Sequence, residues 1–345
     1  MTSNALSALL RRPIVVAPMG GGPTTPALVT AAADAGALGF LAAGYKSADA
    51  MKAEVAAVRT ATTEAFGVNL FVPGSPTAHP AKTNAYLESL ASDAETLDIA
   101  LGDPAWDDDS WTAKIAVLLA DPPPIVSFTF GCPPPEIVAS LRAAGAIVAI
   151  TVTQAQEALL ATAAGAHCLC VQGIEAGAHQ GRFTNEEGDE QGHELLALIR
   201  EVAQLTDLPQ IAAGGIMNAA AVKAVLRNGA VAAQCGTAFL RCPESGAHPA
   251  HKAALSDSRF ASTAITRSFS GRPARGLVNQ FMITHTDAPA AYPEINNATR
   301  PLRAAAAQVG DLDRMSLWAG IGFKEATSRP AAEIIELLCQ MQNHC

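Results

Sequence analysis

Eight short apolar runs, each followed by a longer Ala-rich stretch of helical period, recur between residue 14 and about residue 240. This alternation restricts the chain to few architectures, because each β-α unit must lay its helix back onto a shared parallel sheet. The runs predict strands at 14–17, 38–42, 66–71, 125–129, 146–151, 167–172, 210–213 and 230–234, with helices at 26–35, 48–60, 134–144, 154–164, 193–205 and 218–227. The runs are continuously apolar rather than alternating, as expected of strands covered on both faces. Eight units in one series point to an α/β fold, a (β/α)8 TIM barrel, with an open doubly wound sheet as the second choice. Two regions break the repeat. Residues 72–124 are too long for a simple β-to-α loop and predict a helical insertion. After Cys242 the strand pattern stops and helical segments at 249–255, 302–309 and 331–342 take over. The expected division is therefore a barrel over 1–241 and a mostly helical lid domain over 242–345.

Composition excludes several classes. Hydrophobic residues make up 49% and charged residues 16% of the 345, enough apolar matter for a large core. With 23 Lys and Arg against 32 Asp and Glu, the formal charge of −9 gives nucleic acid little to bind. No apolar stretch approaches the ~20 residues of a membrane span, so no membrane partner is expected. The first twelve residues lack the pattern of a secretory signal and the seven cysteines are scattered and odd in number, which suits a reducing cytoplasm.

In such a barrel the residues just after each strand carry the chemistry. Strand one runs into Met19 and Gly20, and strand three carries Asn69 near its end. Strand seven ends at Gly214 and Gly215, strand eight at Gln234, Cys235, Gly236 and Thr237. Glycine loops after the last two strands are where barrels hold phosphate through backbone N–H groups. Strand six ends at Gln172 and enters a loop with Glu175, Gly177, Ala178 and His179; an imidazole there suits proton transfer near neutrality. Gln172 and Asn69 offer amides to a heterocycle's edge. Arg267, Arg272 and Arg275 are candidates to clamp an anion, though a structural loop is the commoner outcome. Cys168 and Cys170 share one strand face and read as small apolar residues. His167, His193, His248 and His251 lack ligand-like spacing, with the last two in a Pro-flanked loop, so no metal is expected.

Together these residues resemble the nitronate monooxygenase family, formerly called 2-nitropropane dioxygenases. The resemblance spans nearly the whole chain and rests on Pro13-Ile14 through Ala17-Pro18-Met19, the run 66–71, the Gln172-Gly173 to His179 loop, and Ala212-Ala213-Gly214-Gly215-Ile216. It continues through Gly236-Thr237-Ala238-Phe239, the run 269–275 and Trp318-Ala319-Gly320. It implies that Met19, Gly20, Asn69, Gln172, Gly177, Gly214, Gly215 and Gln234 to Thr237 contact FMN, and that His179 is the catalytic histidine. It further implies oxidation of alkyl nitronates such as propionate 3-nitronate, with O2, to a carbonyl compound and nitrite by one-electron transfer to the flavin. Tyr292 and Arg300 are the implied substrate-side residues, Arg300 towards a substrate carboxylate. Two positions depart from the family's usual pattern: Ala178 stands for a second glycine and Ile321 for a glutamine. The competing readings are an NAD(P)H-dependent flavin enoyl-thioester reductase, a flavin-binding protein without turnover, and a phosphosugar isomerase barrel. The expected assembly is a monomer or homodimer.

Overall fold

The computed structural model describes residues 2–188 and 191–340. Eight parallel strands close into a barrel: β1 (Ile14–Val16), β2 (Leu38–Ala42), β3 (Phe66–Phe71), β4 (Ile125–Thr129), β5 (Ile147–Val152), β6 (Cys168–Gln172), then β8 (Gln210–Ala213) and β9 (Ala232–Cys235). The strand β7 (Ala178–His179) lies outside this cylinder. Closure is made by β1, which pairs Val15 with Leu38 on one side and with Gln234 on the other. Every predicted strand is found, displaced by one or two residues at most. Strand and helix side chains form a large core between the cylinder and its helices, with Phe128, Ile150, Leu169 and Leu198 essentially inaccessible, and a second cluster that includes Val15, Leu38, Phe40 and Ile211 is built mostly from the strands themselves. Local signals start the helices as expected. Thr25 caps Pro26–Asp34 by accepting from Leu28 N at 3.0 Å, and Asn218 caps Ala219–Arg227 by accepting from Ala221 N at 3.0 Å.

The segments outside the repeat are more mixed than the sequence suggests. Of the helices in 72–124, Pro80–Ser89 and Ala91–Thr96 leave the barrel, whereas Trp111–Ala120 buries Ile115 and Leu118 in the barrel core as the helix between β3 and β4. Beyond Cys242 the strand pattern does not stop. β10 (Thr263–Thr266) and β11 (Ala274–Leu277) pair antiparallel, and β11 pairs with β7 to complete a three-stranded sheet. Four-residue strands carrying Arg275 and Gly276, with a partner two residues long, give no apolar run to read. The last helix, Ala331–Cys339, returns to the barrel and buries Ala331, Ile334, Ile335 and Leu338 in its core. Residues 341 and 342 of the predicted helix lie outside the described residues.

A lid assembled from two distant segments stands over the strands' C-terminal ends. Tyr86 and Leu90 of the insertion share a core with Phe269, Phe281, Ile295 and Leu302 of the C-terminal region. Two polar anchors fix it. His285 Nε2 and Arg314 Nε meet opposite oxygens of Asp93 at 2.8 and 2.7 Å. Where the insertion rejoins the barrel, buried Lys114 lies 2.7 Å from Asp109 Oδ2, while Asp109 Oδ1 accepts from Tyr45 N at 2.9 Å. Burial pushes the Asp109 carboxyl up, against the pull of the Lys114 charge. Removing one partner of such a pair strands the other without compensation. Lys114→Met is expected to destabilise the protein by about 3 kcal/mol in urea titration, with part of the loss recovered by adding Asp109→Asn. A loss below about 1 kcal/mol would show that the pair does not hold the insertion in place.

Candidate active site

A cavity of about 620 Å³ opens between the barrel mouth and the lid. Met19, Gly20, Asn69, Gln172, Gly177, His179, Gly214 and Gly215 all line it, as do Gln234, Cys235, Gly236, Thr237 and Arg300. Tyr292 stands behind the wall, with its ring 5.6 Å from that of His179 and its hydroxyl donating to Tyr45 at 3.0 Å. Sequence reasoning missed Tyr45, Phe130, Asn296 and Arg303, all of which line the cavity, as does His251, which it weighed only as a metal ligand. Arg303 alone left a trace, three residues after Arg300 on the helix Glu294–Val309 and so on the same face.

The floor is polar and ordered by hydrogen bonds that cross from strand to strand. Asn69 Oδ1 accepts from Ser127 Oγ at 2.8 Å and from Thr129 Oγ1 at 3.0 Å; Thr129 meets Thr151 at 3.3 Å, and Gln234 Nε2 donates to Cys170 Sγ at 3.3 Å. Asn69 Nδ2 and Gln234 Oε1 have no partner among the described residues, so the floor presents one amide donor and one amide acceptor. Gln172, which lines the cavity, also grips the protein with its amide. Its Oε1 accepts from Gly181 N at 2.6 Å and its Nε2 donates to the His179 carbonyl at 3.2 Å, so both ends hold the histidine's own loop.

The glycine loops form a close-fitting end wall. A Cβ on Gly177 would lie 2.5 Å from Gly320 N, so only glycine lets the segment after Trp318 lie against this loop. That segment is fastened by Gly320 N donating to Thr237 Oγ1 at 2.9 Å and Ile321 N to the Glu175 carbonyl at 3.2 Å. The Glu175 carboxylate accepts from Leu195 N at 3.0 Å, at the start of the helix Leu195–Ala203. Gly214 has φ 128°, which turns the chain away from β8.

His179 is half-buried and open only towards the cavity. Its backbone is held in β7 by β11 and its ring stands among Phe130, Tyr292 and Trp318, with centroids 5.7, 5.6 and 5.6 Å away. Nε2 lies 2.8 Å from Ser270 Oγ. Burial first, then the charges of Arg272 and Arg303, push its pKa down to about 3, so the imidazole is neutral at any ordinary pH. Two residues of this surround, Phe130 with φ 77° and Ala178 with φ 62°, hold a backbone region that side chains rarely adopt.

No Asp or Glu lines the cavity among the described residues, whereas Lys46, Arg300 and Arg303 do. Glu54 at 2.7 Å neutralises Lys46. Arg303 donates to Asn296 O at 2.8 Å and Oδ1 at 2.9 Å, and no carboxylate among the described residues contacts it. The three arginines considered for anion binding lie outside the wall. Arg272 stacks 4.1 Å over the Phe130 ring and donates to the Arg182 carbonyl, Arg275 donates to the Ile174 carbonyl at 2.9 Å, and Arg267 donates to Asn185 Oδ1 at 2.5 Å. His251 lies in the helix Pro249–Ala254, as the helical segment predicted over 249–255 implies, and not in the Pro-flanked loop also expected for it. It is buried against the Trp318 carbonyl at 3.0 Å, and its pKa is pushed down to about 4, mainly by burial.

Comparison with known proteins identifies the lineage. The nitronate monooxygenase family model matches residues 3–341. The nitronate monooxygenase of Pseudomonas aeruginosa is 40% identical over 340 residues, covering 96% of each chain. The solved structure of nitroalkane oxidase from Streptomyces ansochromogenes superposes with a TM-score of 0.95 at 48% identity, over 97% of this chain and 96% of that one. FabK from Thermotoga maritima is more distant, with a TM-score of 0.75 at 25% identity over 98% of this chain and 94% of that one. The nearer relatives make the protein a flavin-dependent oxidoreductase. A family model matched over almost the entire length, on a barrel whose mouth carries the expected glycine loops and histidine, establishes that this chain belongs to the nitronate monooxygenase family.

Proposed function

We propose that the protein is an FMN-dependent nitronate monooxygenase, taking alkyl nitronates such as propionate 3-nitronate, with O2, to a carbonyl compound and nitrite. One observation carries this reading: the imidazole of His179 faces a cavity whose wall holds arginines and, among the described residues, no acid. Such a wall favours anionic guests and disfavours cationic ones. The residues present suit FMN. The backbone N–H groups at Gly214, Gly215, Gly236 and Thr237 suit a phosphate, Gly177 lines the same wall, and the free amide groups of Asn69 and Gln234 suit a ring with both donors and acceptors. Met19, Gly20 and Cys235 complete that lining, and Gln172 acts by holding the His179 loop.

When bound, FMN supplies the electron acceptance and the reaction with oxygen. The protein's own residues do the rest. His179 accepts a proton from the α-carbon of a neutral nitroalkane, or lies against the already anionic nitronate. Arg303 and Arg300, on the lid helix, orient an anionic substrate and attract a second carboxylate where the substrate has one. Phe130, Trp318 and Tyr292 pack around the imidazole and keep water from it.

The decisive assay follows oxygen uptake and flavin absorbance with propionate 3-nitronate and with NAD(P)H in separate cuvettes. Oxygen uptake with nitrite release from the nitronate alone is expected; rapid bleaching by NAD(P)H beside an inert nitronate would move the protein to the enoyl-thioester reductases. His179→Asn is expected to keep flavin while losing at least about a hundredfold in kcat/KM on neutral nitroalkanes, and an unchanged rate would remove His179 from the reaction. A proton acceptor works only when unprotonated, and the His179 pKa lies near 3 instead of the ordinary 6.5. The acid limb of kcat/KM on a neutral nitroalkane should therefore not fall with a midpoint near 6.5 as pH is lowered. A midpoint there would mean that the imidazole titrates freely.

A further inference from the structure

An imidazole that accepts a proton must present a lone pair, and only one of its two nitrogens can do so in the neutral form. We propose that Ser270 is a positioning residue that fixes His179 as the Nε2–H tautomer, leaving the Nδ1 lone pair for the cavity. The inference rests on the reading of His179 as the proton acceptor.

The argument is a count of protons. Ser270 Oγ is buried, 1% exposed for the residue, and meets three groups. The Arg272 backbone N–H donates to it at 3.4 Å, the Arg272 carbonyl lies 3.2 Å away, and His179 Nε2 lies 2.8 Å away. A hydroxyl has one proton and two acceptor sites. The carbonyl can only accept, so it takes the hydroxyl proton; the N–H can only donate, so it fills one acceptor site; the remaining site takes a proton from Nε2. All four groups are then satisfied. The reverse arrangement turns the hydroxyl proton to Nε2 and strips it from the Arg272 carbonyl, while Nδ1 has no partner among the described residues in either arrangement. Unpaired polar groups in an enclosed site are disfavoured, so the first arrangement prevails.

Both partners are fixed from outside. The His179 carbonyl is held by Gln172 Nε2 at 3.2 Å, and Gln180 N donates to the Pro273 carbonyl at 2.8 Å, so the histidine cannot slide past the serine. The turn that bears Ser270 is gripped from two sides of the lid: Tyr86 Oη donates to the Ser268 carbonyl at 2.6 Å and Thr299 Oγ1 to the Phe269 carbonyl at 2.5 Å. The three rings around the imidazole oppose its rotation.

The test is a long-range 1H–15N correlation spectrum of the flavin-loaded protein with 15N-labelled histidine at pH 7. His179 is identified by the signal lost in His179→Gln. A protonated Nε2 with an unprotonated Nδ1 is expected in the wild type; a protonated Nδ1 there overturns the proposal without any variant. Ser270→Ala is expected to mix the two tautomers and to lower kcat on a neutral nitroalkane about tenfold with little change in KM, and Ser270→Thr, which keeps the hydroxyl, to restore both. An unaltered tautomer in Ser270→Ala overturns the proposal. A shifted tautomer with an unaltered rate supports the positioning by Ser270 and instead defeats the reading of His179 as proton acceptor.

Discussion

Everything in this molecule hangs on the pairing of a three-residue strand. Ile14, Val15 and Val16 are hydrogen-bonded to β2 on one side and to β9 on the other, and without that double pairing the eight strands are an open sheet with two raw edges. Closure forces all strands to end on the same rim, which gathers Met19, Asn69, Gln172, Gly214 and Gln234 from five positions along two hundred residues into one ring. The polar chain Asn69–Thr129–Thr151 runs from neighbour to neighbour across that ring, because β3, β4 and β5 are in register at Asn69↔Ser127↔Ala149. The chemistry of the floor is thus a direct product of strand order.

The lid obeys a different constraint. It has no barrel of its own to close, and its two short strands, β10 and β11, take as their third strand β7, which the loop after β6 supplies. His179 therefore belongs to both halves of the molecule. Its chain position is set by the barrel, and its backbone pairing and hydrogen-bonding partner come from residues some ninety positions later, Ala274 and Ser270. The insertion after β3 contributes Tyr86 and Asp93 to the same structure, so the lid is a composite of two segments far apart in sequence.

This explains what was legible in the sequence. Strands buried on both faces announce themselves as unbroken apolar runs, and helices between them by glycine and capping residues, so the barrel could be read almost residue by residue. The glycines of the end wall were legible because they follow those strands. The lid's strands were not: Thr263–Thr266 and Ala274–Leu277 are short, half polar, and defined by a partner remote in sequence. The eighth barrel helix, Ala331–Cys339, follows β9 only after the whole lid and was read as part of it. For His251 the helix predicted over 249–255 was the right guide and the flanking prolines the wrong one, since Pro249 opens the helix. Tyr45 carried no signal, since a lone tyrosine after a strand says nothing until Asp109 and Tyr292 are seen to hold it. The double engagement of Gln172 was equally invisible, since an amide's partners are a tertiary fact.

Arg272, stacked on Phe130 behind the cavity wall, and Arg303 in the roof bear on more than the histidine's protonation. Their field raises the energy of an imidazolium and lowers that of a bound anion. A neutral guest must place a proton on His179 against that field before its own anion benefits from it, whereas a guest that arrives already ionised meets only the favourable part. On the proposed chemistry, the guanidinium groups sort substrates by ionisation state instead of by shape. The pocket is biased towards the conjugate base of a carbon acid, and on a neutral carbon acid the imidazole has to take its proton against that field.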